Sequence, residues 1–412
     1  MSYYFCSLRH LAFGALAVWC LKVDAQTTSF NGIEVPGVVI THSPAASKVF
    51  IGSPSIAILP NGDYVASHDE FGPMSSEAIS GTTQLFCSND RGKNWRSLST
   101  LQDQFWSNLF VHSGELYIMG PRRGPSKNPQ TRRDLLIRRS TDGGSTWTTP
   151  TDATTGVIAI HPPDSAGFHT APVPVVEHAG RLWRALEIPR GGFRPVLISA
   201  PLDSDLLKAE NWQLTNSLGH QPSWLPNNGF RFWIEGNAVV GPNDQLVNIL
   251  RVSVRADEQE KAAVVRVVTR EDSFQLEFDP SRDIVNLPGG AKKFTIRYDP
   301  VSASYWTLTN VVNEQNFDPE TTPGGIRNIV AMLESTDLIH WKTRSTVLQD
   351  LTDVKKIGFQ YLDWQFDGAD IVAVSRTSYP DGMGGAENFH NSNFLTFHRI
   401  HNFRIDSQSA RD

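Results

Sequence analysis

The feature that most constrains the fold is a hairpin signal that recurs six times along the chain. Each copy has an alternating apolar stretch, a tight turn and a second apolar stretch. The copies are LPNGDYVASHD (59–69), HSGELYIMG (112–120), EHAGRLWRALE (177–187), GPNDQLVNILR (241–251), DPVSASYWTLTN (299–310) and QFDGADIVAVSR (365–376). Gly, Asn and Asp at several of the turns supply the positive φ that tight hairpins require. The flanks alternate as half-buried strands do, so we predict an all-β chain.

The spacing of the repeats indicates how the hairpins are arranged. Turn positions 62, 114, 180, 244, 302 and 368 are separated by 52, 66, 64, 58 and 66 residues. That interval suits one four-stranded blade and a long loop, and radial repetition of such sheets is a β-propeller. We expect the amino-terminal strand near Val38–Ile40 to complete the last blade beside Phe394–Ile400, which would close the ring without an exposed edge.

A second repeat supports the propeller. The segments Ser88–Trp95 (SNDRGKNW) and Ser140–Trp147 (STDGGSTW) share the pattern S-x-D-x-G-x-x-W, with their aspartates 52 residues apart, and Glu334–Trp341 (ESTDLIHW) is a degenerate copy. In this motif, the Asp box, the Asp accepts backbone N–H bonds, the Gly takes the left-handed position and the Trp packs beneath the hairpin. These aspartates are therefore expected to be structural.

Composition and the amino terminus bound the class of protein. An apolar run at Leu11–Leu21, followed by small residues, predicts a secretory signal peptide over 1–25 and a single mature propeller over 26–412. No later segment has the length of a transmembrane helix, so we expect an extracellular protein with no membrane partner. The net charge of −6 argues against nucleic acid. Cys87 is the only cysteine after the leader, and we expect it to be a buried apolar residue.

The Asp boxes resemble those of the sialidase-like propeller superfamily, whose nearest families imply seven blades. True sialidases carry an Arg-Ile-Pro motif, three arginines and a Tyr–Glu nucleophile pair, and no Arg-Ile-Pro is present here. The sequence alone does not assemble a catalytic carboxylate pair from Asp69, Glu187, Glu235 and Asp363.

A fuller resemblance covers most of the mature chain. The segments that carry it are IGSPSIAILPNGDYVASHDEFGP (51–73), FHTAPVPVVEHAGRLWRALE (168–187), GFQYLDWQFDGADIVAVSRTSY (358–379) and NFHNSNFLTFHRI (388–400). They look like the propeller family that acts on L-rhamnose-capped glucuronic acid in gum arabic and arabinogalactan. The resemblance implies an L-rhamnose-α-1,4-D-glucuronate lyase, or an α-L-rhamnosidase, that acts as a monomer on an anionic plant polysaccharide. It also implies a structural Ca²⁺ on the propeller axis, and no cofactor is required for the chemistry.

Candidate site residues are the polar side chains expected on the face that carries the second-to-third loops and the links between blades. β-Elimination from a 4-linked uronate requires neutralisation of the carboxylate, a base and an acid. We expect His68 or His169 as base and Tyr361 or the other histidine as acid. The expected substrate contacts are Arg122, Arg184, Arg327, Arg376 and His390.

Two alternatives remain open from the sequence. An exo-acting glycoside hydrolase would use His42 or His68 with assistance from the substrate, and a non-catalytic propeller would bind sugar without turnover. The aromatic residues expected in blade cores rather than at the site are Trp106, Trp183, Trp233 and Trp364.

Overall fold

The chain is described by a computed structural model over residues 26–77, 79–123, 133–255, 259–271 and 273–405. The leader predicted for residues 1–25 lies outside the described residues. The described part forms a propeller of six antiparallel blades, one for each hairpin repeat, rather than the seven that the resemblance implies. No helix in these ranges is both long and apolar enough to cross a membrane.

Each of the first five blades is built from consecutive strands. Blade 1 contains β4 (Phe50–Ile58), β5 (Tyr64–Phe71), β6 (Thr82–Ser88) and β7 (Arg96–Gln102). Blade 2 contains β8 (Asn108–His112), β9 (Glu115–Pro121), β10 (Leu135–Ser140) and β11 (Val157–Ala159). Blade 3 contains β12 (Val175–His178), β13 (Arg181–Pro189), β14 (Phe193–Pro201) and β15 (Gln213–Leu214). Blade 4 contains β16 (Phe232–Val240), β17 (Leu246–Ser253), β18 (Lys261–Arg270) and β19 (Ser273–Glu277), and β20 (Ile284–Asn286) also pairs with β18. Blade 5 contains β21 (Thr295–Asp299), β22 (Ser304–Asn310), β23 (Ile329–Ser335) and β24 (Lys342–Gln349).

Blade 6 closes the ring with strands from both ends of the chain. It contains β25 (Gly358–Asp367), β26 (Asp370–Ser378), β27 (Phe394–Ile400) and the amino-terminal β3 (Val38–His42). Strand β3 pairs antiparallel with β27, so that Val38 lies opposite Phe397 and His42 opposite Phe394. The predicted closure is therefore confirmed. A hairpin of β1 (Thr27–Phe30) and β2 (Ile33–Pro36) precedes β3.

Short 3₁₀ turns link some of the strands. They lie at Ala45–Ser47, Ala209–Asn211, Pro222–Trp224, Pro226–Asn228, Pro242–Asp244 and Pro323–Gly325.

The hydrophobic core is divided into layers between adjacent blades. Six apolar clusters are present, and each combines residues of two neighbouring blades. Trp183, Trp233 and Trp364 are buried in these layers, as predicted, and Cys87 is buried as well. Because every blade buries both of its faces against neighbours, apolar burial stabilises the ring, and the one cysteine in the described ranges, Cys87, is a free thiol.

The Asp boxes have the predicted local structure. Asp90 accepts the backbone N–H of Asn94 at 2.9 Å, and Trp95 donates its indole N–H to the Gly92 carbonyl at 3.1 Å. The box at 140–147 makes the equivalent bonds. Hydrogen bonds from Asn94 lower the pKa of Asp90 to about 2. The motif is therefore a turn-stabilising element on the surface, consistent with the structural role that we expected.

Candidate active site

A β-bulge interrupts the first strand of blades 1, 4 and 6 at the same level along the propeller axis. In each bulge two residues of the first strand oppose one residue of the second strand. The first bulged residue is Ser53, Glu235 or Tyr361, with φ of 42°, 58° and 58°. A positive φ is costly for a residue with a side chain, and such strain concentrates at functional sites. Each bulge also changes the direction of the side chain, because the extra residue interrupts the alternation of the strand.

The three bulges surround a cavity of about 270 Å³ at one mouth of the propeller. Residues from blades 1, 2, 3, 4 and 6 line it. The lining residues are Gly52, Ser53, Phe71, Glu77, Phe105, Trp106, His169, Thr170, Ala171, Glu235, Tyr361, Arg376 and His390. Trp106, which we expected in a blade core, is therefore a wall of the cavity, and it too has a positive φ of 48°. Its loop position after β7 explains why the strand pattern did not reveal this.

The centre of the cavity is a hydrogen bond between two bulge residues. The phenol of Tyr361 donates to Glu235 Oε1 at 2.7 Å, although the residues lie 126 positions apart in the chain. Burial, followed by the charge of Glu235, raises the pKa of Tyr361 above its ordinary value, so the phenol is protonated at rest. A carboxylate bonded to a phenol can accept its proton when the phenol oxygen attacks an electrophile.

Three guanidinium groups surround this pair. Arg251 donates Nη1 to Glu235 Oε2 at 2.8 Å, and the guanidinium carbons of Arg327 and Arg376 lie 5.5 and 5.3 Å from the centre of the Tyr361 ring. Burial would raise the pKa of Glu235, but the charge of Arg251 and the bonds from Tyr361 and Arg251 outweigh it and lower the pKa. Glu235 is therefore ionised and poised as a base.

Arg376 is the arginine best placed to bind an anion in the cavity. It is 5% exposed, it lines the cavity, and its Nε is buried without a hydrogen-bond partner in the described residues. Its Nη2 donates to the carbonyl of His390, and its guanidinium lies 4.5 Å from the Phe71 ring centre. Burial lowers the pKa of Arg376 to about 10, so the group is still charged at neutral pH. Three guanidinium groups lie around the carboxylate of Glu235 and make this wall cationic, as a binding site for a carboxylate requires.

Asp69 is a buried acid behind the opposite wall, and Glu77 is an acid that lines the cavity itself. Asp69 is 1% exposed, and its Oδ2 accepts the backbone N–H of Trp106 at 2.6 Å while its Oδ1 accepts the Thr83 hydroxyl at 2.7 Å. Burial raises the pKa of Asp69 to about 7, against smaller opposing effects of bonds from Thr83, Trp106 and Ser53. Since Ser53 and Trp106 line the cavity, a carboxyl group whose pKa is raised to about 7 lies behind its wall.

A second proton-transfer pair occupies the blade 3 side. His169 lines the cavity, and its Nδ1 lies 2.8 Å from Glu187 Oε2. Glu187 Oε1 in turn accepts the backbone N–H of Gly236, next to Glu235, at 3.0 Å. The carboxylate therefore orients the imidazole and contacts the bulge of the neighbouring blade at the same time.

The predicted site residues divide into two groups. His169, Tyr361, Arg376 and His390 line the cavity, and Arg327 lies directly behind Tyr361. Burial, followed by the charge of Arg376, lowers the pKa of His390 to about 4, so this histidine is neutral.

The remaining predicted residues lie elsewhere. His68 is buried beside Phe86, its Nδ1 faces the Asp69 carbonyl, and with His42 it lines a separate cavity. Its neighbour Asp69 has the orientation that we expected of His68, because successive strand residues point to opposite faces.

The two other arginines are not among the lining residues of the site. Arg184 is fully buried, and its Nη2 lies 3.4 Å from the carbonyl of Ala171. Burial places its charge inside the fold rather than at the cavity surface, so its predicted role as a substrate contact stays a prediction. Arg122 follows β9 outside the cavity, and its backbone N–H bonds to the Asp134 carbonyl.

Sequence reasoning missed Glu235, Arg251 and the role of Asp69, although one signal points to part of the set. Asp69, Glu187 and Arg251 each follow their turn position by seven residues, and Arg376 follows its turn by eight. These equivalent positions end the same segment of the second strand, so they face one mouth together. A charged residue at this repeat position is the signal that identifies them.

Two cationic side chains, those of Lys293 and Arg297, contact the first strand of blade 6. Lys293 Nζ donates to the Leu362 carbonyl at 2.7 Å, and Arg297 Nη2 lies 3.4 Å from Asp363 Oδ1. No group of three His, Cys, Asp or Glu residues in the described ranges is arranged to hold a metal ion. The structural Ca²⁺ that the resemblance implies on the axis stays a prediction.

The opposite mouth holds a larger cavity of about 760 Å³. Its lining includes Tyr298, Tyr305 and Phe366, and its carboxylates Glu177 and Asp244 are exposed at the rim. Both carboxylates are solvent-exposed, whereas Glu235 at the smaller cavity is buried. The smaller cavity is therefore the candidate active site.

Known structures share this fold at low sequence identity. An α-L-arabinanase of Penicillium chrysogenum is 14% identical with a TM-score of 0.53, and the match covers 90% of this chain and 98% of that one. A Hadza microbial sialidase is 14% identical with a TM-score of 0.60, over 90% of this chain and 70% of that one. An α-L-arabinofuranosidase of Fusarium graminearum is 13% identical with a TM-score of 0.54, and the match covers 91% of this chain and 98% of that one. The chain therefore has the fold of the sialidase-like propellers.

Sequence comparison adds no family. No family model matches the chain, and no curated protein matches it either.

Proposed function

We propose that the protein is a secreted glycoside hydrolase that removes a terminal, carboxylate-bearing sugar. The observation that carries the proposal is the 2.7 Å bond between Tyr361 and Glu235 beside three arginines. The cavity of about 270 Å³ suits one sugar unit rather than a chain of several. The similarity in fold to an arabinanase, an arabinofuranosidase and a sialidase agrees with a carbohydrate substrate.

The first chemical step follows from the Tyr361–Glu235 pair. The phenol oxygen of Tyr361 attacks the anomeric carbon while Glu235 accepts the phenolic proton. Asp69 donates a proton to the departing glycosidic oxygen, directly or through the Ser53 hydroxyl. The bond from the anomeric carbon to the leaving oxygen breaks, and a glycosyl–tyrosine intermediate forms.

The second step reverses these proton transfers. The ionised Asp69 takes a proton from a water molecule as that water attacks the anomeric carbon. The bond from the anomeric carbon to the Tyr361 oxygen breaks as Glu235 returns the proton to that oxygen, and the sugar leaves with its original anomeric configuration. A phenol nucleophile suits an anionic substrate, because a neutral oxygen approaches the anomeric carbon beside a carboxylate without charge repulsion.

The arginine wall selects the substrate. Arg376, with its unpaired Nε, can hold a carboxylate on the sugar, and Arg251 and Arg327 add positive charge to the same side. A neutral pentose or hexose would leave this charge without a counter-ion. We therefore expect a terminal uronic or sialic acid rather than arabinose.

The test is turnover of glycans with defined acidic ends, followed by mass spectrometry and by proton NMR of the first sugar released. We expect a free acidic sugar with retained configuration, and no turnover by Tyr361→Phe. Inversion, or full activity of the Tyr361→Phe variant, would contradict the proposed mechanism.

A second candidate is the L-rhamnose-α-1,4-D-glucuronate lyase that the sequence resemblance implies. The observation that favours it is the His169–Glu187 pair, since a carboxylate-oriented histidine is a suitable base for the C5 proton of a uronate. Arginines would neutralise the carboxylate, and Tyr361 would protonate the departing oxygen. The product would be a 4,5-unsaturated glucuronate at the end of an anionic plant polysaccharide.

Gum arabic separates the candidates. Elimination gives a uronate product that is lighter by one water molecule than the hydrolysis product and absorbs ultraviolet light, whereas hydrolysis gives no such band. Binding without either product would favour a non-catalytic sugar-binding propeller.

A further inference from the structure

Two buried charged residues hold the backbone of the two bulges that carry Tyr361 and Glu235. Glu187 lies in the blade before the bulge that it contacts, and Lys293 lies in the segment that enters the blade before its bulge. Glu187, in blade 3, accepts the Gly236 N–H of blade 4 at 3.0 Å. Lys293, just before blade 5, donates to the Leu362 carbonyl of blade 6 at 2.7 Å and reaches the Tyr361 carbonyl at 3.5 Å.

The contacts are specific to the strained segment. Glu187 is 1% exposed and Lys293 is 2% exposed, so neither is a solvated surface charge. Gly236 and Leu362 are the second residues of the two bulges, immediately after the residues with φ of 58°. A bulge leaves a backbone group outside the ladder, and an ionic partner is the strongest hydrogen-bond partner that such a group can receive.

Burying a charged group to satisfy a peptide is costly unless the arrangement serves another purpose. Burial lowers the pKa of Lys293 to about 8, against the attraction of Asp363 and Glu235, which shows the strength of this desolvation. Thr295 also bonds to the Leu362 carbonyl. Its hydroxyl accepts a hydrogen bond from Lys293 at 2.7 Å and donates one to that carbonyl at 3.0 Å. An uncharged donor is therefore already present, and fold stability alone does not explain the lysine.

We propose that Glu187 and Lys293 are positioning residues that fix the two strained bulges and thereby bring Tyr361 Oη and Glu235 Oε1 within hydrogen-bond distance. Neither is proposed to touch the reacting atoms. The arginines lie on other segments, with Arg251 on β17 and Arg376 on β26. Loss of either positioning residue should therefore impair the reaction step more than the binding of an anionic sugar.

The kinetic test compares Lys293→Met and Glu187→Leu with the intact protein, and it rests on the proposed function. We expect kcat to fall at least about tenfold, because displacement of a reacting group by about 1 Å can cost about a hundredfold. The Kd for D-glucuronate, measured by calorimetry, should change by less than about threefold. Equal losses in kcat and in D-glucuronate binding would overturn the proposal.

Two further variants separate positioning from general stability. Glu187→Gln keeps an oxygen acceptor for Gly236 N–H and should recover most of the kcat that Glu187→Leu loses. Equally low activity of both variants would assign the role of Glu187 to His169 instead. Lys292→Met is the matched control, because Lys292 is equally buried but pairs with Glu260. It should lower the melting temperature without the selective loss of kcat.

A readout without turnover distinguishes failure of this inference from failure of the proposed function. Ultraviolet difference titration against the matching Tyr361→Phe variant reports the Tyr361 phenol alone. In Lys293→Met, separation from the Glu235 carboxylate should lower the apparent pKa of Tyr361 toward its ordinary value. A titration identical to that of the intact protein would overturn the positioning role, whatever the substrate is.

Discussion

At residue scale, the proposed chemistry depends on a phenol and a carboxylate that are each held in an unfavourable backbone conformation. Tyr361 and Glu235 both have φ of 58°, and their side chains meet at 2.7 Å. Strain of this kind costs about 1–3 kcal/mol per residue and persists only where surrounding contacts impose it. The Arg251 bond to Glu235 is one such contact, and it also keeps the carboxylate ionised.

Replacement of Tyr361 by Phe removes the proposed nucleophile while leaving the ring and the arginines in place. We expect kcat to fall by at least about a thousandfold, since nucleophile and base act as one unit. Glu235→Gln should cause a loss of similar size, and the double variant should be little worse than either single variant. The measurement is kcat on the identified substrate, with D-glucuronate binding as the control for an intact site. Additive losses in the double variant would contradict action as a unit.

The pH dependence of kcat/KM should reflect the ionisation of Asp69. Its carboxyl group, with a pKa raised to about 7 by burial, donates a proton in the first step and must therefore be protonated. The rate kcat/KM should accordingly fall as pH rises through about 7. Glu235 must be ionised, so its lowered pKa places the acid limb of the profile below the ordinary value for a glutamate.

Asp69→Asn provides the check on that assignment. The variant should lose most of its activity and also lose the alkaline limb. An alkaline limb that survives in Asp69→Asn would assign the titration to another group.

The sequence could predict those site residues whose position depends on the local strand pattern, but not those that depend on contacts between distant blades. Tyr361 and Arg376 were recognisable because polar residues at strand ends face a propeller mouth. Glu235 was not, because its role depends on a bulge in β16 and on a phenol from another blade. Neither the bulge nor the pairing of distant blades leaves a period in the local sequence.

At the scale of single elements, the hairpins and the Asp boxes could be predicted from the local sequence. The turn residues, the alternating strands and the box motif each specify structure through bonds within a few positions. The blade number differed from that of the resemblance, because a family's ring size is a property of the whole closed sheet assembly. The six repeats that could be recognised account for all six blades of the described chain.

Disruption of an Asp box should affect stability without affecting catalysis. Asp90→Ala removes the acceptor of the Asn94 N–H bond, and we expect the free energy of unfolding to fall by about 1 kcal/mol. Urea unfolding measures the loss, and Asp142→Ala should behave in the same way because its box makes the equivalent bond to Thr146. A large fall in kcat with an unchanged unfolding midpoint would instead place the box in the reaction.

The whole molecule is a ring whose last blade joins both ends of the chain. Strand β3 covers the edge of β27, and Val38 packs in the apolar layer between blades 6 and 1. Closure holds the blades in register, which is why residues from blades 1, 4 and 6 meet at one mouth. The net charge of −6 gives no sign of the local cationic wall, since the arginines are a small part of the total.

Removal of residues 26–42 should therefore open the ring and weaken the whole molecule. Blade 6 would keep three strands with an exposed edge at β27, and the His42–Asp381 contact of 3.0 Å would be lost. From the apolar burial alone we expect the free energy of unfolding to fall by at least about 3 kcal/mol. Thermal unfolding, measured against a chain that begins at residue 26, tests this.

A synthetic peptide of residues 26–42 should restore the melting temperature where a scrambled peptide does not, because only the native sequence places Val38 opposite Phe397. A truncated chain with an unchanged melting temperature would show that the ring does not depend on its closing strand.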